Sequence, residues 1–252
     1  MSEDSGKRTN SGIAWSPLVA ILLTIATFIV SQLVVGLGFG LVFGVLDWNS
    51  QQSRDWMSTS FGQFAMIAVG SLVTVSVLWW FLRARRVKFS VLGFSRWPHW
   101  RDVALSLLGF TVYFGLLIAA SIVASQIFGI NTEQEQEIGF ETAKSGGQGL
   151  LWVFLSLVVL PPLVEEVLFR GFLFGSLRAK LSFQWAVVIT SILFAIPHLF
   201  ASSDGFLWIA GVDTFVLSLV LCYLREKTGA LWASIALHAI KNSLAFIFIF
   251  VV

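Results

Sequence analysis

The sequence predicts an all-α, polytopic integral membrane protein: a bundle of about seven transmembrane helices, within a range of six to eight, around an intramembrane polar cavity. The first observation behind this prediction is composition, because 57% of the 252 residues are hydrophobic and 12% are charged. A soluble domain needs a polar shell that this composition does not supply, whereas lipid tolerates apolar side chains that face outward. The second observation is a series of long apolar stretches, and the third is a layer of ionisable side chains inside the later ones.

Apolar stretches divide the chain into predicted spans. Their approximate bounds are 17–46, 60–82, 103–128, 150–177, 183–200, 206–224 and 229–252. Residues 1–16 are expected to form a polar N-terminal tail and 17–252 a single transmembrane domain, since no repeat or long linker separates its parts. Residues 47–59 and 131–149 are expected to be polar loops, and the glutamates of the second loop indicate a solvated segment rather than a metal site. The glycines at 36, 38, 40 and 44 either loosen the end of the first span or allow close helix packing, and packing is the role we favour.

Basic residues predict the orientation, because Lys and Arg are enriched in cytoplasmic segments. With the N-terminal tail inside, twelve of them fall in inner segments and two in outer loops. The inner ones are Lys7, Arg8, Arg83, Arg85, Arg86, Lys88, Arg96, Arg101, Arg178, Lys180, Arg225 and Lys227. We therefore expect a multi-pass protein, in the plasma membrane if the source is bacterial. A net charge of +2 does not indicate nucleic acid, so membrane lipid is an expected partner and nucleic acid is not.

The fourth apolar stretch contains two adjacent carboxylates and an arginine, Glu165, Glu166 and Arg170. Each charge in hydrocarbon costs about 2.5–3.5 kcal/mol, so these groups require pairing, a polar cavity or a function. Glu166 and Arg170 are four residues apart and can pair on one helix face, while Glu165 points about 100° away. A structural ion network also fits this pattern. Pro161 and Pro162 predict a kinked or restarted helix, of the kind that lines a cavity at membrane depth.

Four polar residues of separate stretches fall at a similar depth. A helical rise of about 1.5 Å per residue places Glu165, His198, His238 and Asn242 about 20, 22, 15 and 21 Å from the basic face. This common depth predicts that they face one another in a cavity. His238 and Asn242 are four residues apart, so one helix face presents two groups able to donate hydrogen bonds. Each of them alone also fits a polar residue within helix packing.

Three motifs carry a resemblance to a known family. They are the EExxxR sequence Glu165 to Arg170, the FxxxH sequence Phe194 to His198, and the HxxxN sequence His238 to Asn242. In this order and spacing, the chain resembles the CAAX protease and bacteriocin-processing family, which includes the Ras-converting CAAX endopeptidase. The resemblance covers approximately residues 150–243, and the first three spans contain no matching motif.

The resemblance implies an intramembrane endopeptidase that cleaves near the C-terminus of a prenylated, CAAX-type protein or of another membrane-associated protein or peptide. Glu165 would activate the attacking water with help from His198, and His238 and Asn242 would stabilise the tetrahedral oxyanion. Glu166 and Arg170 would hold the site. We favour a mechanism without a cofactor, since the chain lacks HExxH.

An alternative within the family is a zinc metalloprotease, with Glu165, His198 and His238 as the metal ligands. Two other classes stay open. One is a catalytically silent scaffold or bacteriocin-immunity protein of the same fold. The other is a transporter, which is less expected because the chain shows no symmetry between halves. The sequence leaves the substrate and the oligomeric state undetermined.

Three further features have no place in the motifs. Asp213 fits a hydrogen bond to a neighbouring helix in protonated form, a position on the substrate path, or assistance to His238. Lys241 is either its counter-charge or faces elsewhere. The charge bias also places the motif layer in the outer half of the membrane, whereas CAAX tails arrive from the cytosol. Either the cavity is deep and opens inward, or the substrate comes from elsewhere.

Overall fold

The structure, a computed structural model, describes residues 15–131, 140, 149–200 and 205–252. The helices are α1 Pro17–Val45, α2 Ser50–Ser58, α3 Ser60–Ala84, α4 Trp100–Phe128, α5 Leu150–Arg178, α6 Phe183–Leu199, α7 Trp208–Thr228 and α8 Trp232–Phe250. Most of the predicted tail, nearly all of the glutamate-bearing loop and Asp204 lie outside the described residues.

The predicted all-α bundle is confirmed. Six helices, α1, α3, α4, α5, α7 and α8, are long and apolar enough to cross a membrane, and α6 is a shorter apolar helix of 17 residues. Their bounds agree with the predicted stretches to within a few residues, because a run of apolar residues of membrane length is a strong signal. The chain is therefore an integral, multi-pass membrane protein.

The predicted loop at 47–59 is wrong, because nine of its residues form α2. Asn49 caps this helix by accepting hydrogen bonds from the backbone N–H groups of Gln51 and Gln52, each at 2.9 Å. The side chain of Gln52 in turn accepts a hydrogen bond from the backbone N–H of Asn49 at 2.9 Å. This reciprocal capping stabilises a polar helix that hydrophobic periodicity does not reveal.

The double proline does not restart α5. The helix instead widens to π geometry at Leu155–Val159, before the prolines, and again at Glu166–Phe174. Pro161 and Pro162 lie in the first turn of the α-helical segment Leu160–Glu165, inside the continuous helix, so carbonyls of the preceding turn lose their usual N–H partners. The predicted restart is thus wrong: one continuous helix changes its pitch around the prolines, in π-helical stretches of a kind often found at functional sites.

One end of the bundle carries the basic residues, and contacts between separate segments hold it together. Trp232 Nε1 donates to the Arg96 carbonyl at 2.8 Å, and Arg178 pairs with Glu226 at 3.0 Å. Trp15 lies in the predicted tail but is buried, with its Nε1 donating to Ser176 Oγ at 2.9 Å. We call this end, where α3, α5 and α7 finish and α4, α6 and α8 begin, the basic end.

A short 3-10 turn, Phe89–Leu92, packs against α5 near the basic end. A Cβ atom on Gly171 would lie 2.8 Å from the Leu92 carbonyl oxygen, so only glycine permits this approach. The glycines at 36, 38, 40 and 44 behave differently, because a Cβ on any of them meets no described atom within 4 Å. The packing role predicted for those four is therefore wrong within this chain.

Candidate active site

Glu166 is the buried centre of the site. Its side chain is 0% exposed, and its Oε1 lies 3.0 Å from Arg170 Nη1 and 3.0 Å from His238 Nδ1. The pairing with Arg170 follows the predicted spacing of four residues along α5. The contact with His238 comes from α8 and was not predicted. One carboxylate thus joins a guanidinium and an imidazole from two helices, which offsets the cost of burying charge.

Glu165 faces the cavity from the other side of the same imidazole. Its side chain is 32% exposed, and its Oε2 lies 3.9 Å from His238 Nε2. The ring of His238 therefore stands between two glutamates, with Nδ1 toward Glu166 and Nε2 toward Glu165. The angular separation of adjacent helical residues allows one carboxylate to be buried while its neighbour stays accessible.

His198 lies at the end of α6 and reaches the same cavity. Its Nδ1 lies 2.9 Å from the carbonyl oxygen of Phe194, one turn earlier. Because a carbonyl only accepts hydrogen bonds, Nδ1 carries the proton in this contact, and in the neutral form of the ring the lone pair is on Nε2. His198 can therefore accept a hydrogen bond from a water molecule in the cavity.

Phe194 contributes to the site in a way that its motif did not indicate. Its side chain is 1% exposed, and the guanidinium carbon of Arg170 lies 4.2 Å from its ring centroid, a cation–π contact. The ring also packs edge-on near His238, with centroids 6.0 Å apart. Phe194 thereby supports Arg170 with its ring and orients His198 with its carbonyl.

Asn242 is fixed by the double proline. Its Nδ2 donates to the carbonyl oxygen of Leu157 at 2.8 Å. In an α-helix that carbonyl would accept a hydrogen bond from the N–H of residue 161, and in a π-helix from that of residue 162. Both positions are proline, which has no N–H to donate. The amide of Asn242 supplies the missing donor, and its second N–H is available toward the cavity.

Asp213 and Lys241 form an ion pair in the wall of the cavity. Lys241 Nζ lies 3.0 Å from Asp213 Oδ2, with the side chains 25% and 22% exposed. Tyr113 of α4 donates its hydroxyl hydrogen to Asp213 Oδ1. Asp213 does hydrogen-bond to a neighbouring helix, but it accepts from Tyr113 and faces Lys241, where the prediction had it in protonated form. It also lies on the cavity wall. Lys241 is its counter-charge.

The predicted site residues converge on one cavity of about 230 Å³. Its lining comprises Leu157, Pro161, Glu165, His198, Ala210, Asp213, Thr214, Leu217, His238, Lys241, Asn242, Ala245, Phe246 and Ile249. Glu166 and Arg170 lie behind this surface and are completely buried. The cavity therefore combines an accessible carboxylate, two imidazoles and an amide, which together can activate water and stabilise developing negative charge.

The zinc alternative requires Glu165, His198 and His238 to converge as ligands. Among the described residues, no group of three or more His, Cys, Asp or Glu side chains is placed to hold a metal ion. The residues therefore do not fit the predicted zinc site in this arrangement, in which Glu165 and His238 Nε2 face each other at 3.9 Å.

Comparisons with known proteins agree with the motifs. Residues 147–244 match the family described as type II CAAX prenyl endopeptidase Rce1-like. The "Uncharacterized protein YyaK" of Bacillus subtilis is 29% identical over 60% of this chain and 48% of its own length. "Putative membrane peptidase YdiL" of the same species is 27% identical over 56% of each chain. The "UPF0177 protein YxdF" of Lactococcus lactis is 27% identical over 55% of this chain and 71% of its own. The chain thus spans about half of YyaK, and no solved structure matches it.

Proposed function

We propose that this chain, whose residues 147–244 match the Rce1-like family of type II CAAX prenyl endopeptidases, is an intramembrane endopeptidase in which Glu165 activates the attacking water. The observation that carries the proposal is the difference between the two glutamates. Glu166 is buried and engaged by Arg170 and His238, whereas the carboxylate of Glu165 opens into the cavity. The substrate is a membrane-associated protein or peptide.

The first step is the attack of water on the scissile carbonyl. Glu165 takes one proton from the water, and His198 accepts a hydrogen bond from the other hydrogen through Nε2. The new C–O bond converts the carbonyl into a tetrahedral oxyanion. Glu165 and His198 thus each interact with one hydrogen of the same water molecule.

The oxyanion is stabilised by His238 and Asn242. With Nδ1 directed at Glu166, His238 donates from Nε2 only when both ring nitrogens carry protons. In that doubly protonated form each ring N–H has a carboxylate opposite it, Glu166 at 3.0 Å from Nδ1 and Glu165 at 3.9 Å from Nε2. Asn242 donates its second N–H, while the Leu157 carbonyl fixes the orientation of the amide.

Collapse of the tetrahedral intermediate completes the reaction. The C–N bond breaks, and protonated Glu165 transfers its proton to the leaving amine nitrogen. The products are a peptide with a new carboxyl terminus and a peptide with a new amino terminus. No cofactor takes part in this scheme, membrane lipid surrounds the enzyme, and the plasma membrane is its location if the source is bacterial.

A cleavage assay tests this proposal. Purified protein is incubated with an isoprenylated CAAX peptide and with a panel of membrane-segment peptides, with and without exhaustive chelation. Glu165→Gln is compared with Glu226→Gln, which makes the same chemical change at an exposed position of the basic end. We expect chelation-resistant cleavage that Glu165→Gln lowers about 10²- to 10⁴-fold, with no effect of Glu226→Gln.

Three results of the assay contradict the proposal. Cleavage that Glu165→Gln leaves unchanged removes Glu165 as the base. Cleavage that chelation abolishes and zinc restores supports the metalloprotease. A wild-type protein that cleaves no member of the panel supports the catalytically silent scaffold.

A further inference from the structure

We infer that the basic end holds a binding site for an anionic phospholipid, with the headgroup phosphate between Arg83, Arg86 and Lys88 and an acyl chain along α3. The inference does not depend on the proposed endopeptidase function, because none of these residues lines the catalytic cavity.

The site is a concave surface of about 530 Å³ where α3 ends and the chain continues to the 3-10 turn Phe89–Leu92. Three cations and an apolar, aromatic wall line it, and none of the described residues in the lining is acidic: Trp79, Leu82, Arg83, Arg86, Val87, Lys88 and Phe89. The three cations are exposed, and none forms an ion pair with a described residue. Their N–H groups are therefore available to a phosphate, the anion that such groups bind well.

A second pocket extends this surface along α3, away from the basic end. It is lined by Val75, Ser76, Trp79 and Phe89, so it shares Trp79 and Phe89 with the first pocket. From Arg83 back to Val75 the helix rises about 12 Å toward the interior of the membrane. A free inorganic anion would use only the cationic part, whereas a phospholipid has a charged headgroup and an acyl chain that match both parts.

Arg86 occupies a backbone position that favours glycine. The N–H of Val87 donates to the Leu82 carbonyl at 2.9 Å, and the N–H of Arg86 donates to the Arg83 carbonyl at 3.0 Å. These two bonds form the Schellman motif that closes α3, in which the position of Arg86 is left-handed and usually glycine. Arg86 indeed has a φ of 57°. An arginine kept at this strained position, in the lining of the site, indicates a functional side chain.

The site lies on the lipid-facing side of α3. Trp79, which lines both pockets, is 51% exposed and points about 160° away from Phe81. Phe81 packs against Trp15 and Phe172, so the start of the described chain lies on the other face of α3. The basic end marks the cytoplasmic face, and the cytoplasmic leaflet is the one that supplies anionic lipids.

The site is also linked to the packing of α5. Phe89 begins the turn in which Leu92 approaches Gly171, the residue that follows Arg170. A lipid in contact with Phe89 therefore braces a turn that packs on the helix of the catalytic glutamates. Because such a lipid binds the folded protein, it should raise the melting temperature.

Lipid titration followed by native mass spectrometry tests the site. The purified chain in a neutral detergent is titrated with phosphatidylglycerol, with phosphatidylcholine as the zwitterionic comparison and inorganic phosphate as the free anion. The pocket variant combines Arg83→Gln, Arg86→Gln and Lys88→Gln. The matched control removes three exposed charges of the same end that do not line the site, through Arg85→Gln, Arg101→Gln and Lys180→Gln.

We expect the wild type to bind one phosphatidylglycerol molecule saturably and more tightly than phosphatidylcholine. The pocket variant should bind it about 10²-fold more weakly, since each cation near a phospholipid contributes roughly a factor of five. The control variant should stay within about fivefold of the wild type. Phosphatidylglycerol should raise the melting temperature of the wild type and of the control, and not that of the pocket variant.

Arg86→Gly separates the side chain from the backbone conformation. Glycine relieves the left-handed strain, so this variant should melt no lower than the wild type while it binds phosphatidylglycerol about fivefold more weakly. Wild-type affinity in Arg86→Gly overturns the assignment of Arg86. The inference as a whole is overturned by equal affinity for the two lipids, by equal losses in the pocket and control variants, or by displacement of the lipid by equimolar inorganic phosphate.

Discussion

At the scale of single residues, Glu165 and Glu166 are neighbours, but we expect their substitution to affect the stability of the protein very differently. Glu166→Gln leaves the buried charge of Arg170 without its carboxylate, so we expect a loss of about 3–5 kcal/mol in the free energy of unfolding. Glu165→Gln removes a carboxylate that is 32% exposed and should leave the melting temperature close to the wild-type value. Thermal unfolding in one detergent, with Glu226→Gln as the control, compares them. Equal melting temperatures for the Glu165 and Glu166 variants would contradict the roles assigned here.

The ion pair of Asp213 and Lys241 gives a second prediction at this scale. Each side chain is less than one-third exposed, so either single change, Asp213→Asn or Lys241→Met, leaves a charge in the cavity wall without its partner. We expect the double variant to lose less unfolding free energy than the sum of the two single losses, by a coupling energy of about 1 kcal/mol. Thermal unfolding of the four proteins measures it. Additive losses would mean that the two groups do not stabilise each other.

At the scale of helices, the double proline of α5 and Asn242 of α8 act as a unit. Asn242→Ala leaves the Leu157 carbonyl without a donor, at a cost of about 1–3 kcal/mol. Pro161→Ala restores an N–H four residues after that carbonyl, so Asn242→Ala should be less costly in the Pro161→Ala background. Unfolding measurements on the wild type, the two single variants and the double variant test whether Pro161 and Asn242 are coupled. A loss of the same size in both backgrounds would show that the proline does not create the need for Asn242.

At this scale, the sequence predicts the features that are determined within a single helix. The spans follow from apolar length, and the contact between Glu166 and Arg170 follows from a spacing of four residues. The contacts of His238 with Glu166 and of Asn242 with Leu157 join separate helices, so they depend on the rotation of α8 against α5, which spacing does not specify. The second pair was still detectable in principle, because two consecutive prolines leave a carbonyl without a donor.

At the scale of the whole molecule, the common depth of four polar residues indicated the cavity, and the charge bias indicated its orientation. The sequence alone left those two findings in conflict with a cytosolic CAAX tail. The structure brings Glu165, His198, His238 and Asn242 to one cavity, which is lined by the halves of α5, α7 and α8 that lie away from the basic end. This arrangement was not readable from the sequence, because it depends on how α5, α7 and α8 fill the space between the site and the basic end.

The most direct test of the central claim is the rate of peptide hydrolysis by Glu165→Gln relative to the wild type, measured in the presence of chelator on preparations with matching melting temperatures. The account predicts a rate about 10²- to 10⁴-fold lower, because the accessible carboxylate is the base that activates water. A rate within a few-fold of the wild type, in a protein folded to the same extent, would contradict it.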